Sequence, residues 1–186
     1  MTISQALNEA DQKMDKAVEV TREEFAAIRA GRANPAMFAK ITADYYGTQT
    51  PLQQLASFTS QDARTILIQV FDQGAMPAVE RAIRDSDLGV NPANDGRVLR
   101  CVFPELTEER RKEYIKLARG KAEDGRVSVR NVRRTAKQAL EKLEKDGEVG
   151  KDDVTGAEKR LDAVTKTHTD KIDDLLKHKE AELLEV

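Results

Sequence analysis

The fold of this chain is decided by residues 107–147, TEERRKEYIKLARGKAEDGRVSVRNVRRTAKQALEKLEKDG, which predict a single long amphipathic helix. Apolar residues recur there at steps of three, four and seven, the spacing that places side chains on one helical face. They are Tyr114, Ala118, Ala122, Val129, Val132, Ala136, Ala139 and Leu143. Thr107 is predicted to cap the start of the helix and Gly147 to end it. The helix therefore has one face to bury.

A second line of residues on the same helix is basic. Residues 110–137 hold eleven Lys and Arg residues against three acidic ones. The basic line consists of Lys112, Lys116, Arg119, Arg126, Arg130, Arg133 and Lys137, and only Glu123 interrupts it. Like charges at this spacing cost about 0.2–0.5 kcal/mol per pair, so we expect a partner outside the chain to offset the repulsion. A cationic line that can follow a phosphate backbone is typical of a nucleic-acid binder.

The simplest interpretation of a basic stretch is a solvated helix face. The distribution of charge along this chain instead favours a surface that binds nucleic acid. The whole chain has a net charge of −2, yet residues 106–146 hold thirteen basic and eight acidic residues, a net charge of +5. By contrast, residues 147–186 hold seven basic and eleven acidic residues, a net charge of −4. The other long helical stretches mix the two signs, so their faces are predicted to be merely solvated.

Composition narrows the class of protein. Charged residues make up 34% of the chain and aromatic residues 4%, which favours long exposed helices over a large aromatic core. The single Cys101 excludes an internal disulfide and is expected to be a small buried strand residue. No apolar run approaches the ~20 residues of a membrane span, and the N-terminal stretch lacks the apolar segment of a signal peptide. We therefore expect a soluble, cytoplasmic protein without membrane contact.

Two further heptad-like stretches predict a three-helix bundle. The first stretch ends at Gly31. Its seam, the line of mainly apolar residues that faces the other helices, consists of Ile3, Leu7, Ala10, Met14, Ala17, Thr21, Phe25 and Ile28. The last begins after Gly150, and its seam consists of Val154, Ala157, Leu161, Val164, His168, Ile172, Leu175 and Leu183. Three seams in one chain can bury one another's apolar side chains, so residues 1–30 and 106–186 are predicted to form the bundle. This favours a monomer over the alternative of a dimeric coiled-coil adaptor.

Residues 31–105 are too many for a connection between helices, which normally has about 2–8 residues, so they predict an inserted domain. Strands are predicted at 37–45, 55–60, 65–71 and 98–103 from their apolar patterns. Pro77 marks the start of one short helix, and 94–96, Asn-Asp-Gly, predicts a tight turn. The predicted fold class is α+β: an elongated three-helix bundle with a small inserted β/α/β domain. The chain passes between the bundle and the inserted domain twice, and these two chain crossings predict a hinge.

The sequence contains no constellation typical of an enzyme. His168 and His178 lie far from Cys101, so they form neither a metal site nor a nucleophile site, and His168 is predicted to be a seam residue. The pairs Gly120-Lys121 and Gly150-Lys151 lack the glycine-rich lead and the following Ser or Thr of a phosphate loop. No catalytic residue, metal or cofactor is therefore predicted.

Several separate blocks resemble the bacterial ribosome recycling factor family, in order along the whole chain. They are 28–35 (IRAGRANP), 45–48 (YYGT), 51–56 (PLQQLA), 106–111 (LTEERR), 129–134 (VRNVRR) and 179–183 (KEAEL). The resemblance implies an L-shaped protein of transfer-RNA-like size, with the bundle as its long arm and the inserted domain as its short arm. It also implies a translation factor that splits the post-termination ribosome into subunits together with elongation factor G and GTP.

The resemblance further implies where the sites lie. Contact with large-subunit ribosomal RNA is expected by motif match at Arg32, Arg110, Arg130, Asn131, Arg133 and Arg134, and by helical spacing at Arg126 and Lys137. The hinge is expected at Gly31, Ala33, Asn34, Pro35, Pro104 and Glu105. In that family the inserted domain meets the translocase. A generic RNA chaperone is the alternative, but it leaves the hinged insert without a role.

Three residues depart from the family pattern. Gln49 stands where the family usually has a proline, so that loop is expected to be less rigid. Glu105 replaces the second residue of a usual Pro-Pro at the hinge, which removes a fixed φ angle. Gly125 lies inside the long helix and is expected to cost about 0.8–1 kcal/mol relative to Ala. None of the three belongs to the basic line.

Overall fold

The structure, a computed structural model, describes residues 1–185 and confirms the predicted fold class. The three long helices are α1 (Ile3–Ala27), α4 (Glu108–Lys145) and α5 (Lys151–Leu184). The segment between α1 and α4 holds six short strands and two short helices. None of the helices within residues 1–185 combines the length and the apolar character that crossing a bilayer requires.

The chain divides into two compact units. The helical unit consists of Met1–Phe25 and Lys116–Glu180. The mixed unit consists of Ala26–Ile115 together with the residues from Ala181 onward. One end of each long helix therefore groups with the insert, and the predicted domain boundaries, at residues 30 and 106, stay a prediction.

The mixed unit is built around an antiparallel sheet. Its strands are β3 (Ala56–Asp62), β4 (Thr65–Val70), β5 (Ala93–Asn94) and β6 (Val98–Val102), in the spatial order β3-β4-β6-β5. The unit also holds the hairpin of β1 (Thr42–Tyr45) and β2 (Thr48–Pro51), the helices α2 (Leu52–Leu55) and α3 (Met76–Arg84), and two 3-10 segments, Pro35–Phe38 and Gln73–Ala75. The core includes Phe38, Leu52, Ile66, Ile68, Ile83, Leu99, Cys101 and Phe103.

The prediction of a strand over 37–45 is wrong in its first half. Residues Pro35–Phe38 form a 3-10 turn, and only Thr42–Tyr45 is strand. Met37 and Phe38 are both buried, so consecutive side chains point inward, which an extended strand does not allow. Cys101 is a buried strand residue as predicted, and burial raises the pKa of its thiol to about 12.

Both ends of α4 follow the predicted sequence signals. The hydroxyl oxygen of Thr107 accepts a hydrogen bond from the backbone N–H of Arg110 at 3.1 Å. At the other end, Gly147 has a φ of 72°. The N–H groups of Gly147 and Glu148 donate to the carbonyls of Glu144 and Leu143 respectively. This is the Schellman arrangement, in which a left-handed residue, usually glycine, closes the helix.

Among the glycines of the described chain, Gly125 has the closest contacts with neighbouring helices. A Cβ atom at this position would overlap the side-chain oxygen of Thr21 on α1 and would lie 3.1 Å from Cδ1 of Ile172 on α5. Thr21 cannot easily turn away, because it is 2% exposed and its hydroxyl donates to the carbonyl of Ala17. The glycine is therefore a packing requirement, and the propensity cost expected from the sequence is offset by close helix contact.

We predict that Gly125→Ala lowers the free energy of unfolding although alanine is the better helix former. Overpacking costs about 1–3 kcal/mol, which exceeds the propensity gain of about 0.8–1 kcal/mol. Gly120→Ala is the matched control on the same helix, because no atom lies within 4 Å of its Cβ position. It should raise stability in chemical denaturation. Equal gains for both variants would show that the helices are not in close contact at Gly125.

Candidate nucleic-acid interface

The arginines of the basic line contact acids on the neighbouring helix. Arg119, Arg126 and Arg133 follow one another at intervals of one heptad along α4. Their Nε atoms lie 2.7 Å from carboxylate oxygens of Glu180, Asp173 and Asp162 respectively, all on α5. Three interhelical ion pairs thus run along the helical unit, in the manner of the flanking charges of a coiled coil.

Glu123 links two more contacts on α4 itself. Its carboxylate accepts a hydrogen bond from Arg130 Nη2 at 2.6 Å and another from Arg126 Nη1 at 3.1 Å. The hydrogen bonds from Arg130 and Arg126 lower the pKa of the Glu123 carboxyl below its usual value. Glu123 is therefore charged at neutral pH, and it neutralises part of the line that it interrupts.

The expectation that a partner outside the chain offsets the repulsion within the basic line is therefore wrong in part. Much of the offset comes from α5, whose segment carries the opposite net charge. The sequence held a signal for this, because Asp162, Asp173 and Glu180 lie on the next predicted helix. Periodicity within one helix does not show which face an adjacent helix covers, so the pairing was missed.

Other predicted RNA-contacting residues are free of such pairs. Within residues 1–185, the predicted cations without an ion-pair partner are Arg32, Arg134 and Lys137. Arg110 has only a 3.6 Å contact with Glu113, one turn along α4. Asn131 and Arg134 are exposed. Residues 130–137 thus bring five of the predicted residues onto just over two turns of α4, whereas Arg32 and Arg110 belong to the mixed unit.

The predicted hinge residues all lie in the mixed unit. There the buried Arg29 joins the two chain crossings, because its Nη2 donates to the carbonyl of Pro104 and its guanidinium lies 5.4 Å from the ring centre of Phe103. Burial lowers the pKa of Arg29. Glu105 contacts Arg64 at 3.9 Å. Sequence reasoning did not single out Arg29, because nothing in one sequence shows that an arginine is 7% exposed. The hinge itself stays a prediction.

His168 is a buried seam residue, as predicted, but it has partners that the sequence did not reveal. Its Nδ1 lies 2.7 Å from the carbonyl oxygen of Val164, and its Nε2 lies 2.7 Å from Oδ1 of Asp15 on α1. Asp11 adds a second carboxylate at 3.5 Å. These three side chains bring ligand-type atoms within 4.8 Å of one another, a grouping that was not predicted. Because both contacts of the ring are acceptors, the ring donates to both only when it carries both protons.

Fold and site together define a helical protein with a basic line along α4 and an inserted mixed domain, and comparison with known proteins gives its family. The model of the ribosome recycling factor family matches residues 21–184. A ribosome-recycling factor from Nocardioides sp. (strain ATCC BAA-499 / JS614) is 76% identical over 184 residues, which cover 99% of this chain and 100% of that protein. This chain belongs to the ribosome recycling factor family.

Solved structures agree with this assignment. The solution structure of a ribosome recycling factor superposes with a TM-score of 0.77 at 40% identity, covering 100% of this chain and 99% of that one. A second match is the T. thermophilus ribosome recycling factor, described with E. coli elongation factor G on the E. coli post-termination complex. It has a TM-score of 0.68 and 43% identity, and all of both chains is covered. The resemblance found in the sequence is confirmed.

We predict that Glu123→Gln strengthens ribosome binding. The change removes the carboxylate that holds Arg130, so the Arg130 guanidinium becomes available to phosphate, while Arg126 keeps its ion pair with Asp173. The slope of log affinity against log salt should become steeper by up to about 0.9. Binding can be measured by fluorescence anisotropy over a salt series.

Asp124→Asn is the matched control for this change. It removes the same charge from the adjacent residue, which lines the groove between α1 and α4 rather than the basic line. Its salt slope should equal that of the unchanged protein. An equal effect of both substitutions would mean that overall charge, and not release of Arg130, governs binding.

Proposed function

We propose that this chain splits the post-termination ribosome into its subunits together with elongation factor G and GTP. Membership of the ribosome recycling factor family over nearly the whole chain supports this most strongly. A relative of the same fold has been described with elongation factor G on a post-termination complex. In this proposal the chain catalyses no change of bonds itself, acts as a monomer in the cytoplasm, and takes its energy from the partner GTPase.

We propose that ribosomal RNA is bound in two ways along α4. Asn131, Arg134 and Lys137 contact RNA directly, because no acid holds them. Arg126, Arg130 and Arg133 contact RNA by exchanging a carboxylate partner for a phosphate. Such an exchange is feasible because exposed ion pairs contribute only about 0–1 kcal/mol, while each phosphate contact also releases a counterion. Arg32 and Arg110 add contacts from the mixed unit.

The two modes differ in the salt dependence that they produce. An arginine that begins without a partner gains a full phosphate contact. An arginine that begins in an ion pair gives up one anion for another, so its net contribution is smaller. We therefore expect Arg134 to contribute more to the salt dependence than any paired arginine of the basic line. This ranking could not have been made from the sequence.

The proposed main role of the mixed unit is to transmit force, and Arg32 and Arg110 are its proposed contacts with RNA. Residues 31–105 carry a net charge of −1, from seven basic and eight acidic residues, so they offer little attraction for phosphate. Rotation at the predicted hinge would need only a few residues to change their backbone angles. A generic RNA chaperone would need no such unit, and it would act without elongation factor G.

The proposed function is tested by light scattering of purified post-termination ribosomes. We expect a fall in scattering when this chain, elongation factor G and GTP are all present, and no fall when any one of them is omitted. Splitting by the chain alone would contradict the need for a partner GTPase. Binding without any splitting under all conditions would leave only an RNA-binding role.

We predict that Arg134→Ala weakens ribosome binding without changing the stability of the fold. The side chain is exposed and has no ion-pair partner within residues 1–185, so the free energy of unfolding should change by less than about 0.5 kcal/mol. Loss of one phosphate contact should flatten the slope of log affinity against log salt by about 0.7–0.9.

Lys142→Ala provides the control for Arg134→Ala, because it removes one exposed positive charge from α4 beyond the basic line. It should leave the salt slope unchanged. An unchanged slope for Arg134→Ala as well would place the RNA on another surface.

A further inference from the structure

The hairpin of β1 and β2 has a turn residue that does not suit its backbone conformation. Tyr45 pairs with Thr48, which leaves Tyr46 and Gly47 as a two-residue loop. Their φ angles are 49° and 85°, both positive, as a type I′ turn requires. Asn, Asp and Gly are the residues that adopt this conformation readily. Tyr46 is the one non-glycine residue with a positive φ among residues 1–185.

Burial does not offset the strain at Tyr46. The residue is 81% exposed, the highest value among the exposed large hydrophobic residues of the described chain. Phe71 is 67% exposed and precedes Asp72, the residue that Tyr46 contacts. A tyrosine in this turn thus has an unfavourable backbone conformation and an exposed ring. Residues held in such conformations cluster at functional sites, where a partner uses the side chain.

Asp72 fixes the direction of the Tyr46 ring. Its Oδ2 accepts hydrogen bonds from the hydroxyl groups of Tyr45 at 2.9 Å and Tyr46 at 3.4 Å, and its Oδ1 accepts from the N–H of Gly74 at 2.9 Å. The rings of Tyr45 and Tyr46 meet edge to face, with their centres 4.6 Å apart. The bonds from Gly74 and Tyr45 lower the pKa of the Asp72 carboxyl, so the group is charged. The result is a fixed, exposed aromatic ring beside a carboxylate.

The charges around the ring define the chemistry of its partner. Asp44 lies in the same hairpin, where its carboxylate accepts from the N–H of Gly47. Within residues 1–185, neither Asp44 nor Asp72 is paired with a lysine or arginine. Two unpaired carboxylates disfavour the approach of a phosphate backbone. An aromatic face next to a carboxylate instead suits an Arg or Lys side chain, which can stack on the ring and pair with the acid.

We propose that Tyr46, oriented by Asp72, contacts an Arg or Lys side chain on the surface of elongation factor G. The inference rests on the proposed function and adds to it the contact residue and the charge of its partner. The elongation factor is chosen as the partner because most cations predicted to bind RNA, those at 126–137 on α4, belong to the helical unit. Arg32 and Arg110 belong to the mixed unit but lie outside the Tyr46 hairpin. The Tyr46 hairpin is free of that task, and its acids suit a protein rather than RNA.

The proposal is tested by a substitution that suits the backbone conformation of the turn better and removes the aromatic ring of Tyr46. Tyr46→Asn places a preferred residue in the type I′ turn, so the free energy of unfolding should stay the same or rise. The concentration of elongation factor G that gives half-maximal splitting should increase about fivefold or more. Affinity for ribosomes in the absence of the elongation factor should be unchanged. Tyr46→Phe keeps the ring but loses the hydroxyl that Asp72 orients, so it should need a concentration between those of the unchanged protein and Tyr46→Asn.

Val102→Thr is the matched control, because Val102 is a 55% exposed apolar residue on β6 of the same unit. It should behave as the unchanged protein does. An unchanged requirement for elongation factor G in Tyr46→Asn would overturn the inference, as would a loss of stability. A fall in ribosome affinity without the factor would assign the ring to a ribosomal contact and also overturn it. Splitting by the unchanged protein tests the proposed function separately.

Discussion

The close approach of three helices at Gly125 is the constraint on which the rest of the helical unit depends. Because no side chain separates α4 from Thr21 and Ile172 there, α5 lies near enough for its acids to reach the arginines of α4. Small residues such as Ala118 and Ala122 continue this contact face. Packing therefore comes first and sets the distance between the helices, and the pattern of ion pairs follows from that distance.

The ion pairs in turn determine which cations of α4 are left without an acidic partner. Arg119, Arg126 and Arg133 face α5, while Arg134 and Lys137 do not have acidic partners within residues 1–185. A helix with unpaired like charges over its whole length would be weakened by repulsion. Acids on the neighbouring helix reduce that repulsion without removing the positive charge near the surface. In the proposed mode of binding, the same arginines stabilise the free protein and bind phosphate by exchange, which suits a factor that must bind ribosomes and leave again.

Much of this fold could be predicted because long amphipathic helices carry their signals locally. Thr107, Gly147 and the seam spacing fixed α4 almost to the residue. Contacts between residues far apart in the sequence could not be predicted from such local signals. Gly125 was judged by helix propensity alone, and the pairing of His168 with Asp15, 153 residues away, has no trace in the spacing of either helix. The strain at Tyr46 was missed for a related reason, because backbone angles in a hairpin depend on which strands pair.

In the proposed mode of binding, carboxylates of α5 compete with RNA phosphate for the arginines of α4. The most direct measurement is a double-mutant cycle on Arg133 and Asp162, read as ribosome affinity over a salt series. We predict that Asp162→Asn strengthens binding in the unchanged background and has no such effect when Arg133→Gln is also present. Equal effects of Asp162→Asn in both backgrounds would contradict competition for Arg133, because the acid would then act through overall charge rather than through its arginine partner.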